Sequence, residues 1–143
     1  MEFRDVKVIE RLLTTPATWA VVGLSNNQYR AAHGVARFLQ QRLGHTIVPI
    51  HPKAETVHGA TGYTSLGEIP DATQVDVVDC FVNSTLVGQV VDDAIAESER
   101  LGIKAIWMQL DVIDTAAAER AREAELDVVM DACPAIEAPK LGL

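Results

Sequence analysis

The residue types that most suggest an anion site fall in two short stretches of this 143-residue sequence. The first reads Val22-Gly23-Leu24-Ser25-Asn26-Asn27, with Arg30 three residues further on. A glycine that ends a strand just before a helix leaves backbone N–H groups free, and these can meet a phosphate. Ser25, Asn26 and Asn27 serve equally well as caps of that helix, so both readings stand here. Only the first glycine of the dinucleotide fingerprint G-x-G-x-x-G is present. The second stretch is His51-Pro52-Lys53. An NAD-binding domain commonly carries Asp or Glu at this strand end to hold a ribose hydroxyl. Pro52 instead stiffens the corner and Lys53 supplies a cation, which suits a phosphorylated ribose such as that of NADP or of coenzyme A. A solvated surface lysine is the other reading. Three further segments that follow expected strands, Phe81–Ser84, Gln109–Ile113 and Asp131–Pro134, complete the places to search for a ligand.

Catalytic groupings are thin by comparison. His33, His45, His51 and His58 form no H-x-x-x-H or H-E-x-x-H metal spacing. Asp76 and Asp79 flank an apolar strand, while Asp111 and Asp114 follow another. An Asp just after a strand serves more often as a helix cap than as a general base. Cys80 reads as core. Cys133 precedes Pro134, and no neighbouring motif activates it. No enzyme constellation emerges.

The elements that must carry these stretches alternate regularly. A helix is expected from Val6 to Leu13 behind Asp5, stopped by Pro16. Strands are expected at Thr18–Gly23, His45–Ile50, Asp76–Val82, Lys104–Gln109 and Asp127–Asp131, as short runs apolar on both faces. Between them lie helical patterns over Ala31–Leu43, from Asn83 or Ser84 to Leu101, and over Asp114–Glu125. The polar connection Ala54–Thr73 allows a short strand at Gly62–Thr64 and a turn of helix near Leu66–Ile69. Such alternation predicts an α/β, Rossmann-like three-layer domain with a mostly parallel sheet of five to six strands. Residues 1–143 form one domain, with residues 1–15 as a helical extension. In these sheets ligands bind outside the strand carboxyl ends, where the strand order reverses.

Composition narrows the function further. Twelve basic and 20 acidic residues give a net charge of −8, which repels a phosphate backbone and excludes general nucleic-acid binding. No apolar run reaches the ~20 residues of a membrane span. The N-terminus is charged throughout and is no signal peptide, and two cysteines are too few for a disulfide scaffold. A reduced, cytoplasmic protein is expected.

The ordered set VVGLSNNQYR, IVPIHPK, GYTSLGEIP, VDVVDCFVNS, IKAIWMQLDVI and AELDVVMDACPAIEAPKLGL resembles a known family. It is similar to the small stand-alone bacterial CoA-binding proteins, themselves similar to the N-terminal domain of the succinyl-CoA synthetase α subunit. The resemblance spans about residues 10–143. It implies a Rossmann-like fold that binds coenzyme A or an acyl-CoA and carries no known reaction of its own. The synthetase's phosphohistidine belongs to a second domain that this chain lacks. By the same resemblance, Gly23, Ser25, Asn26 and Arg30 would meet the phosphates. Pro52 and Lys53 would meet phosphate or ribose, while Tyr63, Phe81, Val82 and Asn83 would pack near the adenosine. Gln109 would line the pantetheine path.

Departures from the family pattern concern charge. Arginines usual in the family are absent at Gly34, Val82 and Ala132, and Asp111 stands where the family has glycine. If all four positions faced the ligand, the local charge would shift by about four units, and each lost charge-assisted hydrogen bond costs roughly 1.5–3 kcal/mol. Two other readings follow: a divergent member that lost its ligand and serves a protein partner, or a binder of NADP or another nucleotide.

Overall fold

The computed structural model describes residues 2–143. Asp5 opens the first helix, α1 (Val6–Thr14), by accepting a hydrogen bond from the Lys7 N–H on its side chain. There follow β1 (Thr18–Val22), α2 (Ala31–Arg37), β2 (Thr46–Ile50), β3 (Val77–Cys80), α3 (Val87–Ala96) and α4 (Ser98–Leu101). The chain closes with β4 (Ala105–Met108), α5 (Thr115–Glu123), β5 (Asp127–Val129) and α6 (Pro134–Lys140). The five strands form one sheet in the order β2-β1-β3-β4-β5, every neighbouring pair parallel.

Strand side chains alternate between two cores, as a sheet covered on both faces requires. Trp19, Val21, Val77, Trp107 and Val129 lie on one face with Ile9 and Leu13 of α1, Val35 of α2 and Ala138 of α6. Ala20, Val48, Val78, Cys80 and Ile106 lie on the other with Val87 and Val91 of α3 and Ala117 and Ala121 of α5. The N-terminal helix is thus part of the core rather than an appendage. His45 fastens it: Nδ1 accepts from the Ala17 N–H, so its other nitrogen carries the proton shared with the Leu13 carbonyl.

Several boundaries differ from those expected, each for a local reason. The helix after β1 widens into a π turn at Phe38–Arg42 before Gly44, at φ +76°, ends it. The long helix before β4 breaks at Glu97 into α3 and α4. Gly62–Thr64 supplies only a single parallel bridge, Tyr63 to Ile50, so among the described residues the sheet has five strands and no sixth. Helix α6 is an addition to the expected elements: Pro134 sits at its first position, where no N–H partner is needed.

Candidate functional site

The chain leaves β1 toward β2 on one side and leaves β3 toward β4 on the other. Their carboxyl ends therefore part at the sheet's centre, the switch point where α/β folds open a crevice. A crevice of about 570 Å³ lies there. Gly23, Ser25, Arg30, Ala31 and Ala32 line it from the β1 side, and His51 and Pro52 from the end of β2. Phe81, Val82, Asn83 and Leu86 close it from the β3 side.

Backbone pairing fixes these walls. The Gly23 N–H donates to the Ile50 carbonyl at 2.8 Å, and the Phe81 N–H donates to the Val22 carbonyl at 2.9 Å. Gly23 has φ +97°, and a Cβ there would stand 2.3 Å from the Phe81 oxygen. Only glycine allows the two loops to approach this closely. Ser25 and Asn27 are spent within the turn, accepting from the Asn27 and Tyr29 N–H groups. No side chain caps α2, so the N–H groups of Ala31 and Ala32 start the helix without an intrahelical partner beside the crevice.

The lining contains Arg30 and His51 but no carboxylate. The Arg30 guanidinium has no acidic partner among the described residues. In a chain of net charge −8, that is a local reversal of sign. It suits an anion.

Four residues singled out from the sequence lie outside this lining. Asn26 ties the first loop to the segment after β2, donating to Glu55 and to the Thr56 carbonyl. Lys53 is exposed one residue beyond the Pro52 corner, its backbone N–H donating to His51 Nδ1 at 3.1 Å. Tyr63 is half-buried beside β2. Gln109 is buried and donates to Asp79 Oδ1 at 2.9 Å, so it lies beneath the strand ends rather than along an open path. His51, part of the second stretch, lines the crevice as well, and Ala31, Ala32 and Leu86 join it without having been singled out as ligand contacts. Small residues at a helix start are weak signals in one sequence.

Asp79 itself belongs to β3 rather than flanking it. Burial raises its carboxyl to about 7, the Gln109 hydrogen bond opposing that rise, and its second oxygen has no partner. Burial likewise pushes up the thiols of Cys80 and Cys133. The missing family arginines are not equivalent. Val82 lines the crevice, but Ala132 is buried with its carbonyl accepting from Trp107 Nε1, and Gly34 is exposed on α2 outside the lining. Of the three positions, only Val82 is itself part of the crevice lining.

A second cleft of about 390 Å³ opens at the opposite strand ends, bordered by Arg11, Asp76, Lys104 and Asp127. Its charges neutralise one another, Arg11 pairing with Asp127 and Lys104 with Asp76.

The sequence model of a CoA binding domain matches residues 17–139. The chain belongs to that family. The uncharacterized protein YneT of Bacillus subtilis (strain 168) is 27% identical over 125 residues, 87% of each chain. A hypothetical protein from Pyrococcus horikoshii OT3 shares 32% identity and superposes with a TM-score of 0.85, over 96% of this chain and 92% of that one. A dinucleotide-forming acetyl-coenzyme A synthetase from Ca. Korarchaeum cryptofilum, solved with phosphate and ADP, is similar at 24% identity and a TM-score of 0.64. That likeness covers 82% of this chain and 26% of the synthetase, and it concerns the fold alone. In this CoA-binding domain the family match contains every wall of the crevice, from Gly23 to Leu86. No described helix is long and apolar enough to cross a membrane.

Proposed function

We propose that this protein binds coenzyme A or an acyl-CoA in the crevice between β1 and β3 and performs no reaction of its own. The observation that carries the reading is the sign of the lining. A strongly acidic chain keeps carboxylates out of one crevice, and that crevice holds the unpaired Arg30 beside the free N–H groups of α2. Family membership supplies the identity of the anion.

In this reading Gly23 and Ser25 let the pyrophosphate approach the backbone while Arg30 neutralises it. Lys53 reaches from the Pro52 corner to the ribose phosphate. Tyr63, Phe81, Val82 and Asn83 border the adenosine, and Asn26 holds the loop that carries these contacts. Gln109 acts from below, fixing the strand end through Asp79. The ligand is a small molecule, not nucleic acid or a membrane, and the protein works in the cytoplasm with both thiols reduced.

Thermal unfolding with coenzyme A, its 3′-dephospho form, NADP and ADP tests this. A ligand at 100 times its Kd adds about 2.7 kcal/mol, or a rise of roughly 9 °C in a domain of this size. The expected order is coenzyme A first and dephospho-CoA second. Failure of all four to raise the midpoint would refute the reading.

A further inference from the structure

Among the described residues six large apolar side chains are exposed, and Tyr29, Leu86, Leu110, Ile113 and Ile136 belong to segments that follow strand carboxyl ends. Ser84 joins three of them. Its Oγ donates to the Asp111 carbonyl at 3.3 Å and accepts from the Ile113 N–H at 2.9 Å. The loop carrying Leu86 is thereby tied to the loop carrying Leu110 and Ile113, while Val112 between them is buried as an anchor. Leu86 is 56% exposed, Leu110 49% and Ile113 48%. Leu86 also lines the crevice, so this apolar shelf continues it toward β4.

Charge gives the carboxyl edge a direction. Arg30, His51 and Lys53 all follow β1 or β2. The loops after β4 and β5 contain no lysine or arginine but carry Asp111, Asp114 and Asp131. Asp111 is exposed, and its carboxylate makes no hydrogen bond among the described residues; only its backbone is held, the N–H by Asp131 and the carbonyl by Ser84. A ligand with phosphates at one end therefore lies with them beside β1 and β2. Its other end, the thioester, extends toward the shelf.

We infer that the ligand is an acyl-CoA with an unbranched aliphatic chain, laid on Leu86, Leu110 and Ile113, and that Asp111 disfavours acyl groups ending in a carboxylate. This rests on the coenzyme A reading above and adds the acyl class to it. Each methylene taken fully out of water raises affinity about fourfold, so two suffice for a tenfold gain.

Calorimetric titration with coenzyme A, octanoyl-CoA and succinyl-CoA tests the inference. Octanoyl-CoA should bind at least tenfold more tightly than coenzyme A, and succinyl-CoA severalfold more weakly. The double variant Leu110→Ser/Ile113→Ser should lose the octanoyl gain while keeping its affinity for coenzyme A within twofold. Asp111→Asn, which suits the positive φ of that residue, should restore succinyl-CoA to the level of coenzyme A. Equal affinities across the series, with coenzyme A itself binding, would overturn the acyl assignment alone. Absence of binding by all three would overturn the coenzyme A reading, and this inference with it.

Discussion

At the scale of single residues, Gly23 and Asp79 show how a site constrains its fold. Gly23→Ala drives a methyl group into the Phe81 carbonyl and requires an L-residue at φ +97°. Such backbone strain typically costs ~1–3 kcal/mol, and steric displacement of Phe81 adds to it. The variant should therefore unfold at clearly lower denaturant concentration and bind coenzyme A poorly; wild-type stability would contradict the close approach. Asp79 acts through pH. Its carboxyl is raised to about 7 in the fold, against an ordinary value near 4 when unfolded. The folded state thus holds a proton that the unfolded chain has released, and stability falls as pH rises from about 4 to 7. Asp79→Asn removes that cost. It should match wild type at pH 4 and exceed it by roughly 2–4 kcal/mol at pH 8, read from urea titrations. No gain at pH 8 would mean that the buried carboxylate is already compensated.

At the scale of elements, the segment after β2 is clamped onto the crevice wall. Asn26 holds Glu55 and Thr56, Gln40 donates to the His58 carbonyl, and His58 Nε2 pairs with the His33 carbonyl at 2.8 Å. The His33 and His58 rings lie 4.3 Å apart. Burial, His58 and Arg37 together hold the His33 imidazole below its ordinary range, so the clamp favours the neutral ring. The stability that the neutral His33 ring contributes is present above pH ~6.5 and lost as pH falls below it. Amide exchange over residues 54–60 should therefore speed up between pH 7 and pH 5.5, after correction for intrinsic rates, and His33→Gln should abolish that acceleration. An unchanged profile in the variant would place the loosening elsewhere.

The strands were legible because two-sided apolar runs such as Trp19–Val22 and Ala105–Met108 have no other comfortable home. The loops at their ends followed from the topology rule. What stayed hidden depended on tertiary partners. Nothing local marks Asp79 as buried or Gln109 as its donor. Helix α6 was not among the expected elements, and only the packing of Ala138 against the sheet reveals why a helix forms there. Similarly, the loss of an arginine at position 132 reads like a lost ligand contact until the fold buries Ala132 under Trp107.

At the scale of the whole molecule, the decisive feature is one cationic, carboxylate-free crevice on a chain of net charge −8. Surrounding negative charge slows the approach of an anion and is screened by salt. Association of coenzyme A should therefore quicken between 20 and 150 mM salt, measured by stopped flow, whereas a basic surface would show the opposite trend. The most direct test of ligand binding is titration of coenzyme A into the wild-type protein and into Arg30→Ala. Arg30 is exposed and makes no ion pair among the described residues, so its removal should leave the unfolding midpoint unchanged. Saturable binding of one coenzyme A per chain, weakened about 10- to 100-fold in the variant, is the expected result. No binding to the wild type, or equal affinity in the two proteins, would contradict the assignment of this crevice.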